Sequence, residues 1–243
     1  RKGQRVVIKP NMSFDQPPEM ATTTHPKVVS ALVKMCKEAG ASRVDVLANP
    51  LRSVELCLER SGIKEACEII KPDTARGVTA PDRFQEKRIP QGEQLKSSDV
   101  MKTVLQSDVL ISAPVAKHHS STGVSLSLKG MLGLIYNRSV LHWRYDLHTA
   151  IVDLCTLLKA DLTVIDVTRA LTTNGPSGPG KVVNPGFIVA SRDMVAADAQ
   201  VTSMVKWYGR SIEPRQVKHI KIAHQRGLGN MDLSKQIVKK VAL

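Results

Sequence analysis

The sequence predicts an α/β fold: a three-layer, mostly parallel open sheet with helices on both faces. Three observations predict it. Strand-like and helix-like segments alternate along the 243 residues. Compact apolar runs such as Val109-Leu110-Ile111 and Leu162 to Val167 read as buried strands. Polar segments rich in Lys, His and Ser follow strand ends, where open α/β sheets place their reactive groups. A chain of this length buries one substantial core, so one domain is expected over residues 1–243, with an irregular excursion around 73–97.

The elements follow in order. Arg5 to Lys9 reads as a first strand ending in a Pro10-Asn11 turn. His25-Pro26 opens a helix through Glu38 that stops at Gly40, with Thr24 as the expected N-cap and Pro26 in the first turn. Val44 to Ala48 is a second strand. Leu51–Arg60 and Ile63–Ile70 are two short helices split at Ser61-Gly62. The polar stretch from Asp73 to Gln94 is expected to hold a short strand near Lys87–Ile89, and Ser98–Leu105 a helix. The strand at 108–113 stops at Pro114 and releases a polar loop. Leu126–Ile135 and Leu147–Leu158 read as helices, Leu162–Val167 and Gly186–Ser191 as strands, and Met194–Val205 as a helix.

Composition narrows the function classes. An apolar fraction of 42% with 23% charged residues is that of an ordinary globular protein. Only 3% of residues are aromatic, which argues against base or sugar stacking as the main mode of recognition. No apolar run approaches a membrane span and no secretory segment is present. The reading is a soluble, cytoplasmic chain. It opens on Arg1 rather than Met, which fits loss of an N-terminal segment. Cys36, Cys57, Cys67 and Cys155 contain no C-x-x-C pair and read as unpaired thiols, with no iron–sulfur cluster expected. The net charge of +13 calls for an anionic partner. Nine Lys/Arg against two Asp/Glu fall between Lys206 and Leu243. Their interleaving with Val217, Ile220, Ile222 and Ala223 favours a solvated amphipathic helix over a nucleic-acid face.

The segment Asp108–Leu134 concentrates the chemistry. Lys117, His118, His119 and Lys129 lie on it, with His142 and His148 just beyond, so four of the seven histidines fall close together. Imidazole suits acid/base work near neutral pH. Neighbouring residues of an extended segment point to opposite sides, so one of His118 and His119 is expected to face the site. His118, His119 and His142 are the candidates for a divalent metal, although no H-x-x-x-H or H-E-x-x-H spacing is present. Lys129 fits either a desolvated nucleophile or an anion clamp. Lys9 and Asn11, at the first strand's end, and Lys117 and Lys181 are further ligand-binding candidates. For Asn11 the alternative is an Asx-turn. Among the acids, Asp166 is the best placed beside Asp153, Asp193 and Asp198, and Asp193 also suits a helix first turn. Gly175, Gly180 and Lys181 match P-loop spacing, but Pro176 and Pro179 remove amide donors and Val182 replaces the metal-binding hydroxyl, so no phosphate cradle is expected. A ligand-covering loop is the remaining reading.

These motifs in this order resemble the domain-of-unknown-function family 362. The resemblance is carried by Lys9-Pro10-Asn11, Thr24-His25-Pro26, Ala39-Gly40-Ala41, Asp108 to His119, Leu128 to Gly133, His142, Gly175-Pro176, and Asp193 with Asp198. Gly130 stands where that family usually has Asn, and the ferredoxin-like cysteine module of some members is absent. The resemblance implies the fold and the site but no reaction. His119, Lys129 and His142-Trp143 are also similar in order to residues of nickel-pincer lactate racemases. The Gly-rich run that precedes the racemase lysine is here Ser120 to Leu128, which departs from that pattern. Together these readings point to an enzyme in which His119, His142 and Lys129 act on an anionic small molecule. The alternatives are a non-catalytic anion binder and a nucleic-acid or acidic-surface binder.

Overall fold

The computed structural model describes residues 2–242. Its first half runs β1 (Arg5–Pro10), α1 (Pro26–Glu38), β2 (Arg43–Ala48), α2 (Val54–Arg60), α3 (Ile63–Glu68), β3 (Ala75–Gly77), β4 (Phe84–Arg88), β5 (Ser97–Met101) and α4 (Lys102–Leu105). Next come β6 (Val109–Ala113), β7 (Val115–His119), β8 (Gly123–Ser125), the single turn α5 (Ser127–Gly130), α6 (Val140–Arg144) and α7 (Leu147–Leu157). The chain finishes with β9 (Leu162–Leu171), β10 (Val182–Val183), β11 (Phe187–Ser191), α8 (Met194–Met204) and α9 (Lys218–Gln225).

The main sheet has the order β3-β2-β1-β6-β9-β7-β8, with β10 and β11 also on β9. Neighbours from β3 to β9 are parallel, as is β7 with β9, whereas β8, β10 and β11 pair antiparallel. This is the mostly parallel α/β sheet the alternation predicts. Apolar residues of β1 serve both faces. Val6 and Ile8 pack with α1, α2 and α3, while Val7 packs with the layer that holds α7, α8 and α9. α1 buries Val28, Val29, Leu32 and Val33 along one stripe. Each such side chain contributes roughly 1.5–3 kcal/mol when fully removed from water.

Three local expectations change. His25, not Thr24, caps α1: its Nδ1 accepts from Lys27 N at 3.1 Å. The segment expected as a helix over Ser98–Leu105 is strand in its first half and helix in its second. β5 pairs with β4 in a separate ribbon with Phe84 opposite Met101, and only Lys102–Leu105 turns helically. Burial of Val100 and Met101 against the core decides it over helix propensity.

Pro114 also does not release a loop. β7 starts directly after Pro114 and continues along β9 where β6 leaves off, matching Ile111 with Leu162 and Val115 with Asp166 before the register shifts at Ala116. With β9 on one edge and β8 on the other, β7 has its backbone satisfied, so its polar side chains do not expel it from the sheet.

The buried carboxylate of Asp153 on α7 ties the excursion down. It accepts from Glu93 N, Gln94 N and Leu95 N, each at 2.9 Å, and pairs with Arg226 at 2.6 Å. Asp153→Ala leaves three amides without their acceptor and takes from a largely buried guanidinium one of its two carboxylate partners, the other being Glu93. A loss of about 3–5 kcal/mol is expected, read as a lower midpoint in urea denaturation.

Candidate functional site

A cleft of about 380 Å3 opens on the α5 side of the sheet, at the C-terminal end of β1. Its walls include Lys9, Asn11, Phe14, Lys117, His119, Ser125, Lys129, Gly133, Arg138 and His142. A larger groove of about 590 Å3 runs between β11, α8 and the C-terminal residues, but it contains no histidine and lies apart from this chemistry.

Each side chain arrives from a different element. Lys9 has the parity of Val7 on β1 and so reaches the cleft side. Lys117 and His119 alternate with His118 on β7, so the first two face the cleft. His118 turns to the other side, where its Nδ1 accepts from Gly175 N at 3.2 Å and its ring meets Tyr208 edge-on. Lys129 stands on α5, whose first amides are held by Asp198 of α8: Ser127 N and Leu128 N donate to its two oxygens at 2.8 and 2.9 Å. Ser127 Oγ donates to Ser112 Oγ on β6 at 2.8 Å, fixing the same turn from the sheet. His142 sits at the exposed rim on α6, its ring stacked on His119 with centroids 6.0 Å apart.

Asn11 stitches the site to the sheet. Its N donates to Thr24 Oγ1 at 2.8 Å, and Thr24 Oγ1 donates in turn to Ala113 O at 2.7 Å. Asn11 Oδ1 accepts from Val115 N at 3.1 Å, so the side chain orders the start of β7 while lining the cleft. Gly133 makes room for Lys9: a Cβ there would lie 2.7 Å from Lys9 Cε and 3.0 Å from Nζ.

The electrostatics are one-sided. Lys9 is 2% exposed and Lys129 9% exposed, and among the described residues neither they nor Arg138 makes a side-chain hydrogen bond or ion pair. Lys117 Nζ donates only to Thr22 O, at 2.8 Å, and lies 5.1 Å from the centre of the Phe14 ring. Among the described residues no Asp or Glu lines the cleft. Burial, then the charges of Lys117, Arg138 and Lys129, hold the Lys9 amine well below the lysine range. Burial followed by Lys129 and Arg138 brings Lys117 down to about 7, and burial followed by Arg138 brings Lys129 to about 8. Burial lowers Arg138 to about 10. Burial and the neighbouring cations also keep His119 and His142 neutral. Because His119 Nδ1 accepts from Ser121 N at 3.1 Å, the neutral ring carries its proton on Nε2.

Several expected site residues fall elsewhere. Lys181 is exposed beyond the Gly/Pro loop and does not line the cleft, although Pro176 of that loop does. His118, His119 and His142 do not converge as metal ligands, because His118 is on the far face of β7. Among the described residues no group of three His, Cys, Asp or Glu could hold a metal ion. Two neutral imidazoles among three buried lysines and a half-buried arginine, without a carboxylate or thiolate among the described lining residues, are a poor donor set for a divalent metal. His148 stacks on His219 outside the cleft, with centroids 5.6 Å apart. Asp166 is occupied structurally, accepting from His25 N, Thr168 N and Arg169. Asp193 caps α8 through Val195 N and Ala196 N. In the basic C-terminal region, Arg215, Lys218, Arg226 and Lys235 pair with carboxylates. Arg138 is the cleft residue that sequence reasoning missed. Its signal was position alone, on the short connection between the Lys129 turn and His142.

One family model, described as domain of unknown function (DUF362), matches residues 6–203. The chain belongs to the DUF362 family. A thylakoid-associated protein of Synechocystis sp. is 23% identical over 218 residues, covering 85% of this chain and 64% of that protein. Among solved structures, the lactate racemase apoprotein from Thermoanaerobacterium thermosaccharolyticum is similar with a TM-score of 0.53 at 12% identity, covering 84% of this chain and 50% of that one. A Thermotoga maritima protein is similar with a TM-score of 0.50 at 13% identity, covering 83% and 54%. The DUF362 chain thus spans between half and two thirds of the length of these relatives, and the two structures share its α/β fold. No described helix is long and apolar enough to cross a membrane.

The depressed lysines set a pH dependence. From about 7 for Lys117 and about 8 for Lys129 up to the ordinary 10.5, the unfolded chain holds protons that the folded chain has released. Stability therefore rises with pH across that window and is lower at its acid end. The thermal midpoint of the ligand-free protein is expected to climb through this range, and Lys117→Met to flatten the climb.

Proposed function

We propose that this DUF362 chain binds a small anionic molecule, a carboxylate or phosphate ester, between Lys9, Lys117, Lys129 and Arg138, and acts on it by proton transfer through His119 and His142. One observation carries the reading: four basic side chains share a cleft with no acidic side chain among the described residues of its wall. A unit anion about 4 Å from one of them gains roughly 4 kcal/mol at the effective dielectric of a protein surface. It also offsets the burial and, after it, the mutual repulsion that depress the amines. The racemase of similar fold is by name an enzyme of lactate, itself a small carboxylate. His119 supplies an N–H donor at Nε2 and His142, at the rim, the exchangeable base.

Thermal melting at low ionic strength tests this. Oxalate or inorganic phosphate is expected to raise the midpoint, by the equivalent of about 2.7 kcal/mol at a concentration 100-fold above Kd. Sodium chloride of equal ionic strength is expected not to. Equal effects from oxyanion and chloride would sink the idea. Gly133→Ala, which must displace the flexible end of Lys9, is expected to weaken the oxyanion shift several-fold while the chain still melts cooperatively.

A further inference from the structure

We propose that the anion bound here is a 2-oxo acid whose carbonyl carbon forms an imine with Lys129 Nζ. The inference rests on the anion-site reading above and adds a covalent step to it.

The three cleft amines are not equivalent. Lys117 Nζ is held by Thr22 O and the face of Phe14. Lys9 is 2% exposed and lies across Gly133, where its Nζ has little room to receive a carbon atom. Lys129 has neither restraint, yet its backbone is fixed by Asp198 and Ser112 through Ser127 and Leu128. It is a free amine on a rigid mount. Lys9 and Arg138 remain to hold a carboxylate beside it, and the His119 Nε2 proton can bond a carbonyl oxygen. Such a constellation selects a ligand carrying a carboxylate and an electrophilic carbonyl on adjacent carbons. Burial among cations also favours a neutral amine, which is the nucleophilic form.

The step balances without an oxidant or reductant. The Nζ lone pair adds to the carbonyl carbon, and the C=O π pair moves to oxygen. One Nζ proton passes to that oxygen through His142. The nitrogen then forms the C=N bond, its second proton leaves by the same route, and the C–O bond breaks to release water. Amine and ketone give imine and water.

The experiment incubates the whole chain with pyruvate, adds borohydride, and locates the reduced adduct by intact and peptide mass spectrometry. One adduct per chain, on Lys129, is expected. Lys129→Arg is expected to lose it. The peptide map of the unaltered protein carries the test on its own if that variant fails to fold. An adduct on Lys9 or Lys117, or label scattered over exposed lysines, overturns the proposal. So does the absence of any adduct. If oxalate still raises the melting midpoint in that last case, the imine fails and the anion site stands. If it does not, both fail.

Discussion

Lys9, Lys117, Lys129 and Arg138 repel one another, and in a cleft screened by protein rather than bulk water that repulsion costs several times what it would on an open surface. The fold does not relieve it with nearby acid. Its fully buried carboxylates Asp153, Asp166 and Asp198 are all turned to backbone amides. Each of them fastens an element that surrounds or supports the cleft: the excursion on α7, the entry to α1, and the turn that carries Lys129. Acidic side chains therefore build the walls, and basic ones are left in the space they enclose.

That division explains why so much of the fold is legible in the sequence. β1, β2, β6, β9 and α1 announce themselves through apolar runs and a Pro-opened amphipathic helix, because they pack against other elements by burial alone. β7 does not. Lys117, His118 and His119 read locally as loop, and the pairing with β9, some fifty residues on in the sequence, together with the short hairpin to β8 makes the segment a strand. β5 is obscured because Val100 and Met101 are fixed by packing against the main core, which its own polar residues do not signal.

The site follows the same rule. His119, Lys129, Lys9 and Asn11 could be picked out because strand ends and unusual residue clusters mark them. Choosing between His118 and His119 required the side of β7 that faces α5. Arg138 carries no local mark, being one arginine among many cationic residues, and it becomes visible only when α6 folds back over the cleft. Lys181 misled in the opposite direction: it has P-loop spacing, but the loop that bears it contributes Pro176 to the wall and leaves the lysine in solvent.

The anchoring of α5 by Asp198 has a consequence for how this site can change over evolutionary time. The carboxylate grips Ser127 and Leu128 from within the core, on the side no ligand reaches, so the height and direction of the Lys129 amine are set independently of the rim. Ser13, Leu51, Ser120, Ser121 and Ser139, which border the opening, bear none of that duty. Substitutions among them can redraw the outline of what enters while the reactive centre stays in place. Diversification of ligand choice within such a scaffold is thus mechanically decoupled from loss of the fold.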